Sequence, residues 1–125
     1  MKREILFKAK RIDTGEWVEG SVNHRENGEC IIHVNNKHLP YNAKIVDPET
    51  VCQYTGLKDK NGVKIFEGDK VEYRSAIKNA KYQGVIDYWV GQMGVGYRYK
   101  SNKHTMMLKV GHTINMKVTG SNIHD

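Results

Sequence analysis

Val85-Ile86-Asp87-Tyr88-Trp89-Val90, followed after four residues by Val95-Gly96-Tyr97-Arg98-Tyr99-Lys100, decides the fold class. Ile86, Tyr88 and Val90 alternate with Val85, Asp87 and Trp89, and Val95, Tyr97 and Tyr99 alternate with Gly96, Arg98 and Lys100. Successive side chains on a strand point to opposite faces, so a period of two marks strands of a sheet covered on one side. The link Gly91-Gln92-Met93-Gly94 reads as a hairpin loop. A phosphate-cradling loop would end in Gly-Lys-Ser/Thr and open a helix, whereas this one leads into a strand.

Working outward, Val71 and Tyr73 alternate with Lys70, Glu72 and Arg74, and Ile114, Met116 and Val118 supply a further strand. Between them only Ser75 to Tyr82 offers a helix, with Ser75 as a candidate cap, and it is too short to stand on its own. Short strands with open edges invite aggregation, so a small, strongly curled sheet or barrel is expected. The same period runs through the N-terminal part. Ile5, Phe7 and Ala9 alternate with Glu4, Lys8 and Lys10, and Asp13-Thr14-Gly15 turns the chain back through Glu16 to Val22. Cys30 to Val34 and Lys37 to Val46 make a second hairpin around Asn35-Asn36, with Pro40 at an edge position. Asp47-Pro48-Glu49-Thr50 breaks the pattern and predicts a short capped helical turn and a joint. The expected organisation is an N-terminal β-hairpin subdomain over residues 1–50, a turn-rich connecting segment over 51–70 and a small β-subdomain over 71–125, with little helix.

The 125 residues are 38% apolar and 27% charged, too apolar for a disordered chain and of a size for one domain or two very small ones. No stretch approaches the ~20 apolar residues of a membrane helix, and Met1-Lys2-Arg3-Glu4 leads into a charged segment, so a cytoplasmic protein with no membrane contact is expected. Cys30 and Cys52 lie in no paired spacing and read as reduced, buried thiols. The net charge of +6 is uneven. Residues 1–50 hold eight Lys/Arg against eight Asp/Glu, and residues 71–125 hold eight against three. The last portion is thus the part whose field would attract a polyanion.

The segment from Val51 to Val71 joins these parts through three turns, at Gly56, at Asn61-Gly62 and at Gly68-Asp69, with Leu57, Ile65 and Phe66 as apolar anchors. Its residues Gln53, Tyr54, Thr55, Gly56, Leu57, Asp59, Gly62, Ile65, Phe66, Glu67, Gly68, Asp69 and Val71 follow the pattern Q-Y-T-G-L-x-D-x-x-G-x-x-I-[YF]-E-G-D-x-V. This resembles the signature of the YopX family of phage- and prophage-encoded proteins. The resemblance extends to Arg3–Ala9, to Gly15–Val22 and to the closing Val118-Thr119-Gly120-Ser121-Asn122-Ile123-His124-Asp125. It implies a β-rich fold with a small SH3-like barrel in the second half, an origin in a bacterial mobile element, and self-association. It supplies no reaction and no cofactor.

The chemistry is therefore sought in the residues. Cys30, His33, His24 and His38 cluster in sequence, but Cys30 and His33 fall on opposite faces of a strand and no second ligand pair completes a site, so no metal is expected. Cys52 has no neighbouring base to make it a nucleophile. Glu67 and Asp69 are read first as turn residues, with Asp69 bonded to its local backbone and Glu67 to a nearby lysine, and second as an acid–base pair. Tyr82, Tyr88, Trp89, Tyr97 and Tyr99 lie among Lys78, Lys81, Arg98, Lys100 and Lys103. Either they form a stacking and phosphate-tracking face, with Tyr88, Trp89, Arg98 and Lys100 as its centre, or Tyr97 and Tyr99 are core and the bases a solvated face. The leading expectation is a non-enzymatic module binding a second copy or a host or phage protein, through strand edges and the apolar turn around Leu57 and Phe66. The alternative is a single-stranded nucleic-acid binder.

Overall fold

The computed structural model describes residues 5–34, 42–75, 77, 79–91, 94–102, 105–109 and 113–125. The protein is mainly β, with two antiparallel sheets and a 3-10 turn at Pro48–Thr50. It divides into two compact units, Met1–Tyr54 and Thr55–Asp125.

In the first unit β1 (Phe7–Lys10), β2 (Trp17–His24), β3 (Cys30–Val34) and β4 (Ala43–Val46) pair consecutively, and β1 also pairs with the start of β5 (Cys52–Lys58). The expected first hairpin is present, with Ala9 opposite Val18. The second is present at its β3 and β4 ends, while Asn35-Asn36 and Pro40 lie outside the described residues. Beyond β1 the chain turns back to β4: Arg11 bridges Val46, and Asp47 N–H donates to Lys10 O at 2.9 Å. Ala9, Cys30, Ile32 and Val46 are enclosed by this curl, with Val18, Val22, Val34 and Val51 around them. The 3-10 turn forms where the sequence predicts it. Asp47 Oδ1 accepts from Glu49 N–H at 3.0 Å, and Pro48 occupies a position that needs no donor.

The second unit contains β6 (Lys64–Phe66), neighbour of β5, and a five-stranded sheet ordered β10-β9-β8-β7-β11. Its strands are β7 (Asp69–Ser75), β8 (Ala80–Gly91), β9 (Gly94–Lys100), β10 (Thr105–Met107) and β11 (Met116–Asn122). One face buries Ile65, Val71, Ile86, Tyr97, Tyr99 and Met116, backed by Tyr73, Met106, Leu108 and Val118. Tyr99 lies across Gly84, where an added Cβ would come within 2.7 Å of Lys100 O. The helix predicted over Ser75–Tyr82 does not form. Ser75 pairs with Ala80 and Tyr73 with Tyr82, so the segment is a β-hairpin whose turn Asn79 closes with a φ of 48°. Burial of Tyr73 and Val71 on the sheet outweighs the weak propensity of eight residues for an isolated helix.

Candidate functional site

The signature residues build a clasp. Asp59 is buried, and its carboxylate accepts three backbone N–H groups: Oδ1 from Asn61 at 2.8 Å and Val63 at 2.9 Å, Oδ2 from Val118 at 2.8 Å. Lys60 N–H donates to Met116 O at 3.1 Å, so the Asp59–Gly62 turn covers the side of β11 that β7 leaves unpaired. Asp69 is buried as well. Its Oδ2 accepts from Phe66 N–H at 2.9 Å and its Oδ1 from Asn122 Nδ2 at 2.9 Å, while Asn122 also donates to Glu67 O at 3.2 Å and accepts from His124 N–H at 3.0 Å. Gly68 sits between them at φ 84°, and a Cβ there would lie 3.0 Å from the Asn122 amide, so both conformation and space demand glycine. Thr55 Oγ1 donates to Ile65 O at 2.7 Å. Gln53 and Tyr54 lie on β5, Tyr54 buried, with Gly56 and Leu57 following on the same strand.

Glu67 and Asp69 do not share a cleft. Asp69 is turned into the clasp, and the Glu67 carboxyl, half-buried, is pushed above the usual carboxylate range by desolvation. The charges acting on Glu67 are those of His124 and Asp87, not the lysine that its turn position suggested. Phe66 is 2% exposed, so it belongs to the interior and cannot serve as the apolar contact surface expected of it; a β-strand alternation offset by the turn buries Ile65 and Phe66 together.

The aromatic and basic residues of β8 and β9 are divided between two faces. Tyr88 stands opposite Tyr97 on the core side, the rings meeting edge-on at 5.5 Å. Trp89, Arg98 and Lys100 occupy the outer side. There the Arg98 guanidinium lies 3.8 Å from the centre of the Trp89 ring and forks onto Asp87, Nε to Oδ1 at 2.8 Å and Nη2 to Oδ2 at 3.2 Å. Gly91 leaves room for the Trp89 ring, where a Cβ would sit 2.6 Å from it. Of the four residues expected to form one face, three are together and Tyr88 is not, because neighbouring strand positions diverge. Tyr97 and Tyr99 are core, and Tyr99 holds its hydroxyl proton above the usual tyrosine range through burial.

The outer face carries more charge than the sequence reading isolated. Register places Lys70, Glu72 and Arg74 of β7 beside Lys81 and Asp87 of β8, Arg98 and Lys100 of β9 and Lys117 of β11. Lys60, Glu72, Arg74, Lys81, Asn115 and Lys117 line a hollow of about 130 Å³. Alternation on each strand held this signal, but the order β11-β7-β8 that brings Lys117 to Arg74 and Lys81 was not legible. A second missed cluster lies in the first unit, where Lys8 and Lys10 ammonium groups sit 4.8 and 5.7 Å from the Trp17 ring centre.

Cys30 is buried and its thiol pushed up by desolvation, His24 and His33 are exposed, and His38 lies outside the described residues. Cys52 is buried, its Sγ donating to Thr50 O at 3.2 Å, and neither Cys30 nor Cys52 is in a disulfide. Among the described residues no three His, Cys, Asp or Glu side chains gather as metal ligands, and no helix is long and apolar enough to cross a membrane. Gly91 pairs with Gly94 across the β8–β9 hairpin, while Gln92 and Met93 lie outside the described residues.

Comparison with curated proteins gives no match. The profile of the family described as YopX protein matches residues 6–125, nearly the whole sequence, and the chain belongs to the YopX family.

Proposed function

We propose that this YopX-family chain is a non-enzymatic binding module, encoded by a phage or prophage, whose second unit holds the backbone of single-stranded nucleic acid on its outer face. The observation that carries this reading is the sorting of charge. Among the described residues, Lys70, Arg74, Lys81, Arg98, Lys100 and Lys117 share the outer face with the acids Glu72 and Asp87, which pair with Lys81 at 3.4 Å and Arg98 at 2.8 Å and leave Lys70, Arg74, Lys100 and Lys117 as the excess charge. Such a face tracks phosphates, and the Trp89–Arg98 stack offers planar surface to a base. The second unit is read as a variant of the SH3-like fold, supported by short strands and by the Asp59 turn that covers β11. A non-enzymatic role accords with Asp69 being spent on structure. Fluorescence anisotropy with a labelled oligonucleotide is expected to give an affinity that falls with salt. Absence of salt-sensitive binding to either DNA or RNA overturns the reading.

A second reading, self-association, has its own observation. Tyr88 and Val90 are 52% and 65% exposed at the end of the face that buries Ile86. Sedimentation is expected to show a dimer that Val90→Asp dissociates, and a monomer at high concentration removes this reading.

A further inference from the structure

The hollow between β7, β8, β11 and the Asp59 turn gathers four cationic side chains, from Lys60, Arg74, Lys81 and Lys117, around one carboxylate, Glu72, and the amide of Asn115. Their engagement differs. Arg74 Nη2 is held by Asn79 Oδ1 at 3.1 Å, and Lys81 Nζ lies 3.4 Å from Glu72 Oε1. The Lys60 and Lys117 ammonium groups have no side-chain partner among the described residues. The lining thus keeps a surplus of three positive charges. At about 130 Å³ the space holds about four waters, enough for one tetrahedral anion. A backbone phosphodiester brings one negative charge and must leave the site in two directions. A phosphate monoester approaches two negative charges at neutral pH, offers three oxygens and continues in one direction.

We infer that this hollow binds a phosphate monoester group, of the kind that ends a nucleic-acid strand at its 5′ side. The nucleic-acid source rests on the function proposed above; the phosphate site itself does not. Lys60 and Lys117 supply the uncommitted charge, Arg74 and Asn115 add directed donors, and Glu72 sets the ceiling on affinity by opposing the anion.

The test compares two oligonucleotides of one sequence, one 5′-phosphorylated and one ending in a 5′-hydroxyl, titrated into the wild-type chain and into a Lys60→Ala/Lys117→Ala variant. Wild type is expected to prefer the phosphorylated strand by about tenfold, and the double variant to lose that preference. Equal affinity of wild type for both strands, or a preference that survives in the double variant, overturns the site while leaving a general nucleic-acid face standing. Inorganic phosphate is the second probe, followed by amide chemical shifts. Shifts at Asn115 to Lys117 with no binding of either strand support the site and sink its nucleic-acid source; no shift overturns the site. Glu72→Gln keeps the shape and removes the opposing charge, so it is expected to tighten phosphate binding about threefold, a gain that a misfolded variant would not give.

Discussion

Asp59 and Asp69 are two buried carboxylates that accept hydrogen bonds from amide donors. Removing such an acceptor strands donors that the fold has taken out of water. Asp59→Ala is therefore expected to lower stability by about 3 kcal/mol in urea unfolding, from three lost N–H acceptances. Asp59→Asn, which keeps the oxygen bonded to Asn61 and Val63, is expected to recover part of that loss. Glu67 behaves in the opposite sense. Burial and the neighbouring Asp87 raise its proton affinity, with His124 opposing, so the folded chain favours the protonated form. Its contribution is present below the ordinary value of about 4.3 and is lost as pH rises through the elevated one. Glu67→Gln should raise Tm relative to wild type at pH 7 and leave it unchanged at pH 4; equal shifts at both would show that titration is not the cause. The turn role of Asp69 was legible because Asp bonds its own neighbourhood. Its second partner was not, since Asn122 lies 53 positions away and no local pattern encodes so distant a contact.

At the scale of elements, alternation carried the reading wherever one face is buried. β1, β7, β8 and β9 fall on runs marked by a period of two. It failed over Ser75–Tyr82, where the chain reverses with too few residues to show a period, and Asn79 takes the turn that Ser75 was expected to cap as helix. Alternation also divides what composition groups. Tyr88 and Trp89 count together as aromatic density, yet one lies against Tyr97 and the other under Arg98. Gly84 shows how close the packing between elements is, because Tyr99 fills the volume its missing side chain leaves. Gly84→Ala must displace that ring or the Lys100 carbonyl, and is expected to cost about 2 kcal/mol, measured as an earlier denaturant midpoint with unchanged slope. An unchanged midpoint would mean that Tyr99 moves aside freely.

Across the whole molecule, charge is the property that composition gives first and structure places last. The balance of residues 1–50 is neutral and the surplus follows residue 70, but only strand register places Arg74, Lys81, Arg98, Lys100 and Lys117 on one face of one sheet. If that face meets phosphates, position rather than net charge governs affinity. Lys100→Glu and Arg25→Glu alter the net charge equally, one on the outer face of the second unit and the other in the exposed β2–β3 turn, where Arg25 lies 3.6 Å from Glu29. For a single strand, each phosphate contact removed flattens the dependence of log affinity on log salt by about 0.7. Lys100→Glu is expected to weaken oligonucleotide binding about tenfold in low salt and to reduce the salt slope by that amount, whereas Arg25→Glu leaves both near wild type. Equal losses from the two variants would mean that the chain attracts polyanions through its overall charge alone, and the outer face would then have no special part in binding.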